Sequence, residues 1–203
     1  MKIKLGQRAP DFKVEDIYGN IYTLESLRGK NILLSFFRDA TCPFCNLRVY
    51  ELTRRYPDLK KKGLVMLAFF SSPQDRIVKY IGKKQRPFPL IADPDTTVYQ
   101  LYNVRSSFAG LMASMVMRMP TIMRAMMLGF MPRMRGKITQ MPADFLISPD
   151  LKVKGIYYGK DAADHIPVKI LETFAAKQYG TEPVSAEDEV PVEDEDEEMI
   201  ILG

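Results

Sequence analysis

The 203-residue chain has no tryptophan, only two cysteines and a single histidine. Two cysteines cannot staple a small secreted scaffold, and with one histidine they cannot complete a four-ligand Cys/His zinc site within one chain. Met1–Pro10 lacks the apolar run of a secretory signal, so a cytoplasmic protein is expected. Acidic residues are missing from Thr96 to Ala143, a stretch with five Arg and one Lys, and no basic residue follows Lys177. Hydrophobic residues at 46% and charged residues at 27% exclude disordered, collagenous and multi-span membrane chains and leave room for a sizeable core.

The net charge of +4 hides an asymmetry. Ten of the 25 acidic residues lie between Glu182 and Glu198, leaving 29 basic and 15 acidic residues, a net of +14, in the remainder. Such a body attracts acidic partners or anionic lipid. Its basic residues are scattered and form no nucleic-acid module, so no nucleic acid is expected. The organisation predicted is one domain over residues 1–180, interrupted by a helical Met/Arg-rich insert at 105–137, and an acidic, flexible tail over 181–203.

Apolar patterning gives the elements. Two short stretches around Gly19-Asn20 predict a hairpin or extended arm, and Glu25–Lys30 a helical turn closed by Gly29. Ile32–Phe37 and Leu64–Phe70 are nearly continuous apolar runs, the pattern of strands buried on both faces. Between them, Cys45, Val49, Leu52, Tyr56 and Leu59 form a helical stripe, with Arg48, Glu51, Arg55 and Asp58 opposite; Pro57 should kink or end this helix. Ser72 should cap a helix running from Pro73 to about Gln85. A strand at Phe88–Ala92, a helix at Thr96–Tyr102, a strand pair at Phe145–Ser148 and Val153–Tyr158, and a last amphipathic helix through Val168, Leu171 and Phe174 follow. Strands alternating with helices and ending in a hairpin indicate an α/β fold with a mixed central sheet flanked by helices.

The chemistry centres on Thr41-Cys42-Pro43-Phe44-Cys45, where a buried strand passes into a helix. Unpaired backbone N–H groups and the positive end of the helix dipole stabilise a thiolate there and lower its pKa. Cys42, at the N-cap, should be the exposed nucleophile. Cys45, on the apolar stripe, should be buried and resolve the mixed disulfide. Pro43 suits the first helical position. Inert core cysteines or half of an intersubunit metal site are the alternatives. Met141-Pro142-Ala143 precedes a strand, and Pro142 is a candidate for a cis bond in a tight turn.

Ala9-Pro10-Asp11-Phe12, Leu27-Arg28-Gly29-Lys30, the apolar strand, Cys-Pro-Phe-Cys and Met-Pro-Ala before Phe145–Asp150 resemble, in order, the thioredoxin superfamily. The similarity is to its redoxin branch, the alkyl hydroperoxide reductase/thiol-specific antioxidant group with its peroxiredoxin-like relatives. It covers roughly residues 4–178 apart from the insert. The resemblance implies a thioredoxin fold with an N-terminal extension, and Cys42–Cys45 as the redox pair. It also implies a cis Pro142 against that pair, shaping a substrate groove with Thr41, Pro43, Phe44 and Met141. The peroxiredoxin pattern Pro-x-x-x-Thr-x-x-Cys is not met. Counting back from Cys42 gives Asp39 and Ser35, and counting back from Cys45 gives Cys42 and Arg38. Dithiol–disulfide exchange therefore fits better than fast peroxide reduction, with Arg38 a candidate to stabilise a thiolate or bind peroxide.

Expected partners are a protein or small-molecule disulfide, or a hydroperoxide, and a dithiol electron donor. No cofactor or metal is expected beyond the Cys42–Cys45 disulfide itself. His165, before the last helix, reads as a loop or capping residue far from the dithiol. The insert carries nine of the 13 methionines and suits packing or partner binding. A membrane-surface contact or a methionine copper site is a weaker reading, and Arg118, Pro120 and Arg124 interrupt any span. A competing view makes the chain a binding protein on a redoxin scaffold, with the insert as the working part. The tail, with its apolar end Met199–Leu202, could lie on the basic insert.

Overall fold

A computed structural model describes residues 3–130, 139–177 and 201–202. The acidic tail, its proposed docking on the insert, and residues 131–137 of the insert lie outside the described residues, except for a short strand at 201–202.

The N-terminal arm is a hairpin, β1 (Lys13–Glu15) and β2 (Ile21–Thr23), antiparallel, followed by a 3-10 turn at Glu25–Leu27. Gly29, at φ +83°, then turns the chain into the sheet. The main elements are β3 (Asn31–Phe37), α1 (Pro43–Lys61), β4 (Leu64–Phe70), α2 (Gln74–Tyr80), β5 (Leu90–Ala92) and α3 (Thr97–Leu101). They continue as α4 (Phe108–Met117), α5 (Met119–Met127), β6 (Ala143–Ile147), β7 (Val153–Tyr158), α6 (Val168–Ala176) and β8 (Ile201–Leu202).

The sheet order is β5-β4-β3-β6-β7-β8. β3 runs parallel to β4 and antiparallel to β6, so the sheet is mixed. All seven residues of β3 are buried because both faces are covered. Leu33 and Phe37 face a core with Val49, Leu52 and Tyr56 of α1 and Leu171 and Phe174 of α6. Ile32, Leu34 and Phe36 face the other core, with Phe12, Leu27, Val98, Tyr99 and Tyr102. β8 pairs parallel to β7, Ile201 opposite Ile156.

Three local expectations change. Pro57 lies inside α1 rather than ending it. It sits on the exposed side between the buried Tyr56 and Leu59, so packing carries the helix past the lost N–H bond. The helix ends instead at Lys61, with Gly63 at φ +86° behind it. Secondly, α2 stops at Tyr80, where Gly82 folds back to donate to the Ile77 carbonyl. Thirdly, the Ser72 hydroxyl is not a cap for α2; Pro73 holds that position and Ser72 is engaged elsewhere.

The insert is an excursion between α3 and β6. Its two ends are joined by an antiparallel bridge, Ser106 to Gln140. Ser107 N–H donates to the Thr139 carbonyl at 2.7 Å, and Met141 N–H to the Arg105 carbonyl at 2.9 Å. The Ser107 hydroxyl caps α4 by accepting from Gly110 N–H. Ala162 N–H donates to Ser114 Oγ, and Arg118 pairs with Asp161, which ties the helices to the loop before α6. No helix among the described residues is long and apolar enough to cross a membrane.

Candidate active site

Both cysteines sit where β3 gives way to α1. Cys42 is the N-cap, with extended backbone, and Pro43 occupies the first turn. The approach loop is held by Asp39, whose Oδ1 accepts from Thr41 N–H (2.8 Å) and Thr41 Oγ (2.6 Å). Its Oδ2 accepts from Ser72 Oγ (2.8 Å) and Arg76 Nη1 (3.0 Å). Asn46 closes the turn, donating to the carbonyls of Ala40 and Cys42. This is an Asx-turn fastened to the start of the helix.

The sulfurs are free thiols, hydrogen-bonded to each other, and Arg38 Nη2 donates to Cys42 Sγ at 2.9 Å. Burial opposes ionisation of Cys42. The Cys45 hydrogen bond and the Arg38 charge outweigh it and lower the thiol to about 6. Burial and then the hydrogen bond and charge of Cys42 push Cys45 well above its ordinary value. The pair thus holds one thiolate and one thiol near neutral pH.

Cys42 is not exposed as the sequence predicts: it is 2% accessible, and Cys45 1%. The Arg38 guanidinium lies on its sulfur, and Ile122 of α5 packs against the cluster that contains both cysteines. The expected groove residues are also covered. Thr41, Pro43, Phe44, Met141 and Pro142 are all buried, and the Thr41 hydroxyl is engaged by Asp39. Continuing the β3–β6 register, Phe36 opposite Ala143, sets Pro142 beside Phe37 at the dithiol end of the sheet. Gly110 of α4 closes on this segment; a Cβ there would stand 2.8 Å from Met141 Sδ.

Pro142 is trans, as is every described peptide bond, contrary to the expectation of a cis bond. Met141 N–H is bonded to Arg105, and the Pro142 carbonyl accepts from Gly159 N–H, which guides an extended entry into β6. Trans is also the lower-energy form of such a bond by about 0.5–1 kcal/mol. Gly159 has no room for a side chain, since a Cβ would meet the Asp164 carbonyl at 2.3 Å and Pro142 Cγ at 2.7 Å.

His165 is a loop residue as expected, but a buried one. Its Nδ1 lies 3.0 Å from Asp144 Oδ2, and its ring is tilted on Phe37 with centroids 4.8 Å apart. Asp144 also accepts from Ser35 Oγ and Ile166 N–H. Burial opposes its ionisation, yet His165, Arg48 and Ser35 together hold the carboxyl below its ordinary range. Among the described residues no group of three or more His, Cys, Asp or Glu is placed to hold a metal ion.

A family profile, "AhpC/TSA family", matches residues 5–156. A peroxiredoxin of Thermoplasma volcanium is 33% identical over 116 residues, 54% of this chain and 57% of that protein. The thiol-disulfide oxidoreductase ResA of Bacillus cereus is 29% identical over 104 residues, 51% of this chain and 60% of that protein. The chain therefore spans less than two thirds of the length of either relative. Among solved structures, the peroxidoxin BcpB of Mycobacterium tuberculosis superposes with a TM-score of 0.61 at 19% identity, covering 87% of this chain and 99% of that one. That likeness shows the fold, a thioredoxin-type α/β sheet with its helices on both faces. With three quarters of its length matched by one profile and a dithiol at the strand–helix junction, the chain belongs to the AhpC/TSA family of redoxins.

Proposed function

We propose that the chain is a thiol–disulfide oxidoreductase in which Cys42 attacks and Cys45 resolves. The observation that carries this is two free thiols in the first turn of α1 with the Arg38 guanidinium on Cys42 Sγ, an arrangement that lowers Cys42 and raises Cys45. The Cys42 thiolate attacks one sulfur of R–S–S–R′; that S–S bond breaks, RS⁻ leaves, and Cys42–S–S–R′ forms. Cys42 has then lost its charge, which had opposed ionisation of Cys45. Cys45 gives up its proton and attacks Cys42 Sγ, R′S⁻ leaves, and the Cys42–Cys45 disulfide closes. The substrate has gained two electrons and the protein has lost them, and an external dithiol returns them. The cycle uses no other cofactor, and the scarcity of cysteine suits a reducing, cytoplasmic setting.

One observation favours a second reading. With Cys42 only 2% exposed, a small hydroperoxide enters more easily than a protein disulfide. The thiolate would then take one oxygen from ROOH, giving ROH and a sulfenic acid, and Cys45 would expel water to form the same disulfide. The Thr41 hydroxyl donates to Asp39.

Reduced protein mixed separately with bis(2-hydroxyethyl) disulfide and with hydrogen peroxide, followed by thiol titration, tests both. Loss of two thiols per chain with the disulfide, abolished in Cys42→Ser, supports exchange. Loss with peroxide alone selects the second reading, and retention of both thiols in both mixtures rejects the enzyme.

A further inference from the structure

The N-terminal half of the side of α1 opposite its apolar stripe, at Arg48 and Glu51, is partly covered, while Arg55 and Asp58 further along are exposed. α5 lies across it, and between these helices and the loop before α6 is a cleft of about 350 Å³. Phe44, which separates the two cysteines in sequence, forms part of its wall. Three guanidiniums line it, those of Arg48, Arg118 and Arg124, against the single carboxylate of Glu51. Arg118 is paired with Asp161. The other two cations have looser partners, Arg48 feeling the charges of Asp144 and Glu51 without an ion-pair contact. Arg124 Nη1 stands 3.6 Å from Glu51, and Arg48 pairs with no carboxylate among the described residues, donating instead to the Ile166 carbonyl.

Two polar atoms of the wall, Arg48 Nε and His165 Nε2, are buried without a hydrogen-bond partner among the described residues. The His165 side chain is 3% exposed and anchored through Nδ1 to Asp144, so its free nitrogen is fixed in place. Arg48 Nε is a buried donor left unpaired, which is unfavourable and marks where an acceptor from outside would be welcome, whereas His165, donating through Nδ1 to Asp144, presents Nε2 as an acceptor. Guanidinium forks match a carboxylate in shape and charge. The volume is that of a small-molecule site, too small for a folded partner. Arg48 follows Cys42 by six residues, about 9 Å along the helix axis.

We propose that this cleft binds a carboxylate of the substrate on which the dithiol acts, so that the preferred substrate is a small disulfide bearing a carboxylate several ångströms from its sulfur. The inference rests on the exchange reading above and names its substrate class. The carboxylate lies between Arg48 and Arg124, and the wall residue Phe44 adjoins Cys45 in sequence.

The test compares three disulfides with the reduced full-length protein at matched ionic strength. They are 4,4′-dithiodibutyrate with two carboxylates, neutral bis(2-hydroxyethyl) disulfide, and cystamine with two ammonium groups. The expected order of kcat/KM places the dicarboxylate on the order of tenfold above the neutral compound, through KM, and cystamine last. Arg48→Gln and Arg124→Gln should each shrink the dicarboxylate-to-neutral ratio severalfold. Arg124 is 64% exposed, so its replacement keeps the fold even if Arg48→Gln does not. Equal turnover of the three compounds overturns the cleft assignment and leaves exchange standing. If none of them reacts, the exchange reading fails. The cleft is then judged by calorimetry of 4,4′-dithiodibutyrate on Cys42→Ser: heat of binding that Arg124→Gln weakens supports the cleft, and none overturns it.

Discussion

Replacing Arg38 by methionine keeps the bulk of the side chain over Cys42 and removes the charge 2.9 Å from its sulfur. Arg38 is one of two influences that bring the thiol to about 6, the other being the Cys45 hydrogen bond. Its removal should raise the pKa by about one unit, equivalent to about 1.4 kcal/mol of differential stabilisation. A rate measured at one pH would mislead. A thiolate of higher pKa is scarcer but more nucleophilic, its reactivity growing about 2.8-fold per unit for a Brønsted slope near 0.45. Iodoacetamide alkylation of Arg38→Met should thus be about threefold slower than wild type at pH 5 and about 2.6-fold faster at pH 8, with the curves crossing near about pH 6.6. The assay is the full pH–rate profile, with mass spectrometry assigning the adduct to Cys42. A change in how well the cover excludes reagent multiplies the whole curve and leaves its midpoint in place, so the midpoint is decisive. Arg38→Lys should return it most of the way. An Arg38→Met midpoint at or below that of wild type refutes Arg38 as the source of the thiolate.

Four further outcomes follow from the same geometry. Cys42 loses its proton at about 6 when folded and at about 8.5 when unfolded, so the unfolded chain binds more protons between those values. Denaturation of the reduced protein should show stability rising with pH across that window, the gain absent below it, and Cys42→Ser should lack the rise. Because Arg38 favours the reduced form, Arg38→Met should lower the redox potential of the pair by about 30 mV per unit of pKa change, read against a glutathione buffer. Gly110→Ala gains about 1 kcal/mol of helix propensity but drives a methyl group onto Met141 Sδ and to 3.0 Å from the Lys160 carbonyl. The melting temperature should fall, whereas a more stable protein contradicts close packing of α4 on the Met141 segment. Asp144→Ala strands the Ser35, His165 and Ile166 donors and should cost about 3–5 kcal/mol in urea denaturation.

Much of the sheet was legible because it is buried on both faces. Runs such as Ile32–Phe37 and Leu64–Phe70 have no other economical explanation, and the Cys45–Leu59 stripe places α1 beneath them. The dithiol could be read because its chemistry depends on local features, a strand end and a helix start. What was not legible depends on distant partners. Asp144 and His165 are 21 residues apart and meet only once β6 and the loop before α6 are in place. The burial of Cys42 involves Arg38, whose guanidinium lies on its sulfur, and no periodicity in α1 gives notice of it. Arg48 and Glu51 looked like a solvated face because nothing in their spacing reveals that α5 will lie across them. Asp39-x-Thr41 was available as a signal, being the spacing of an Asx-turn, and identifies the loop anchor that the motif reading passed over.

The stitched neck of the insert separates two design problems that other folds must solve together. Since the excursion departs at Ser106 and comes home at Gln140, its length and composition can drift while the registry of β3 with β6 stays untouched. A chain built this way can acquire, resize or shed a helical excursion beside its core by editing one continuous piece of sequence. Replacing residues 108–138 by a tight turn is accordingly an experiment the scaffold itself invites, keeping β3 and β6 in register while releasing Ala162 and Asp161 from Ser114 and Arg118.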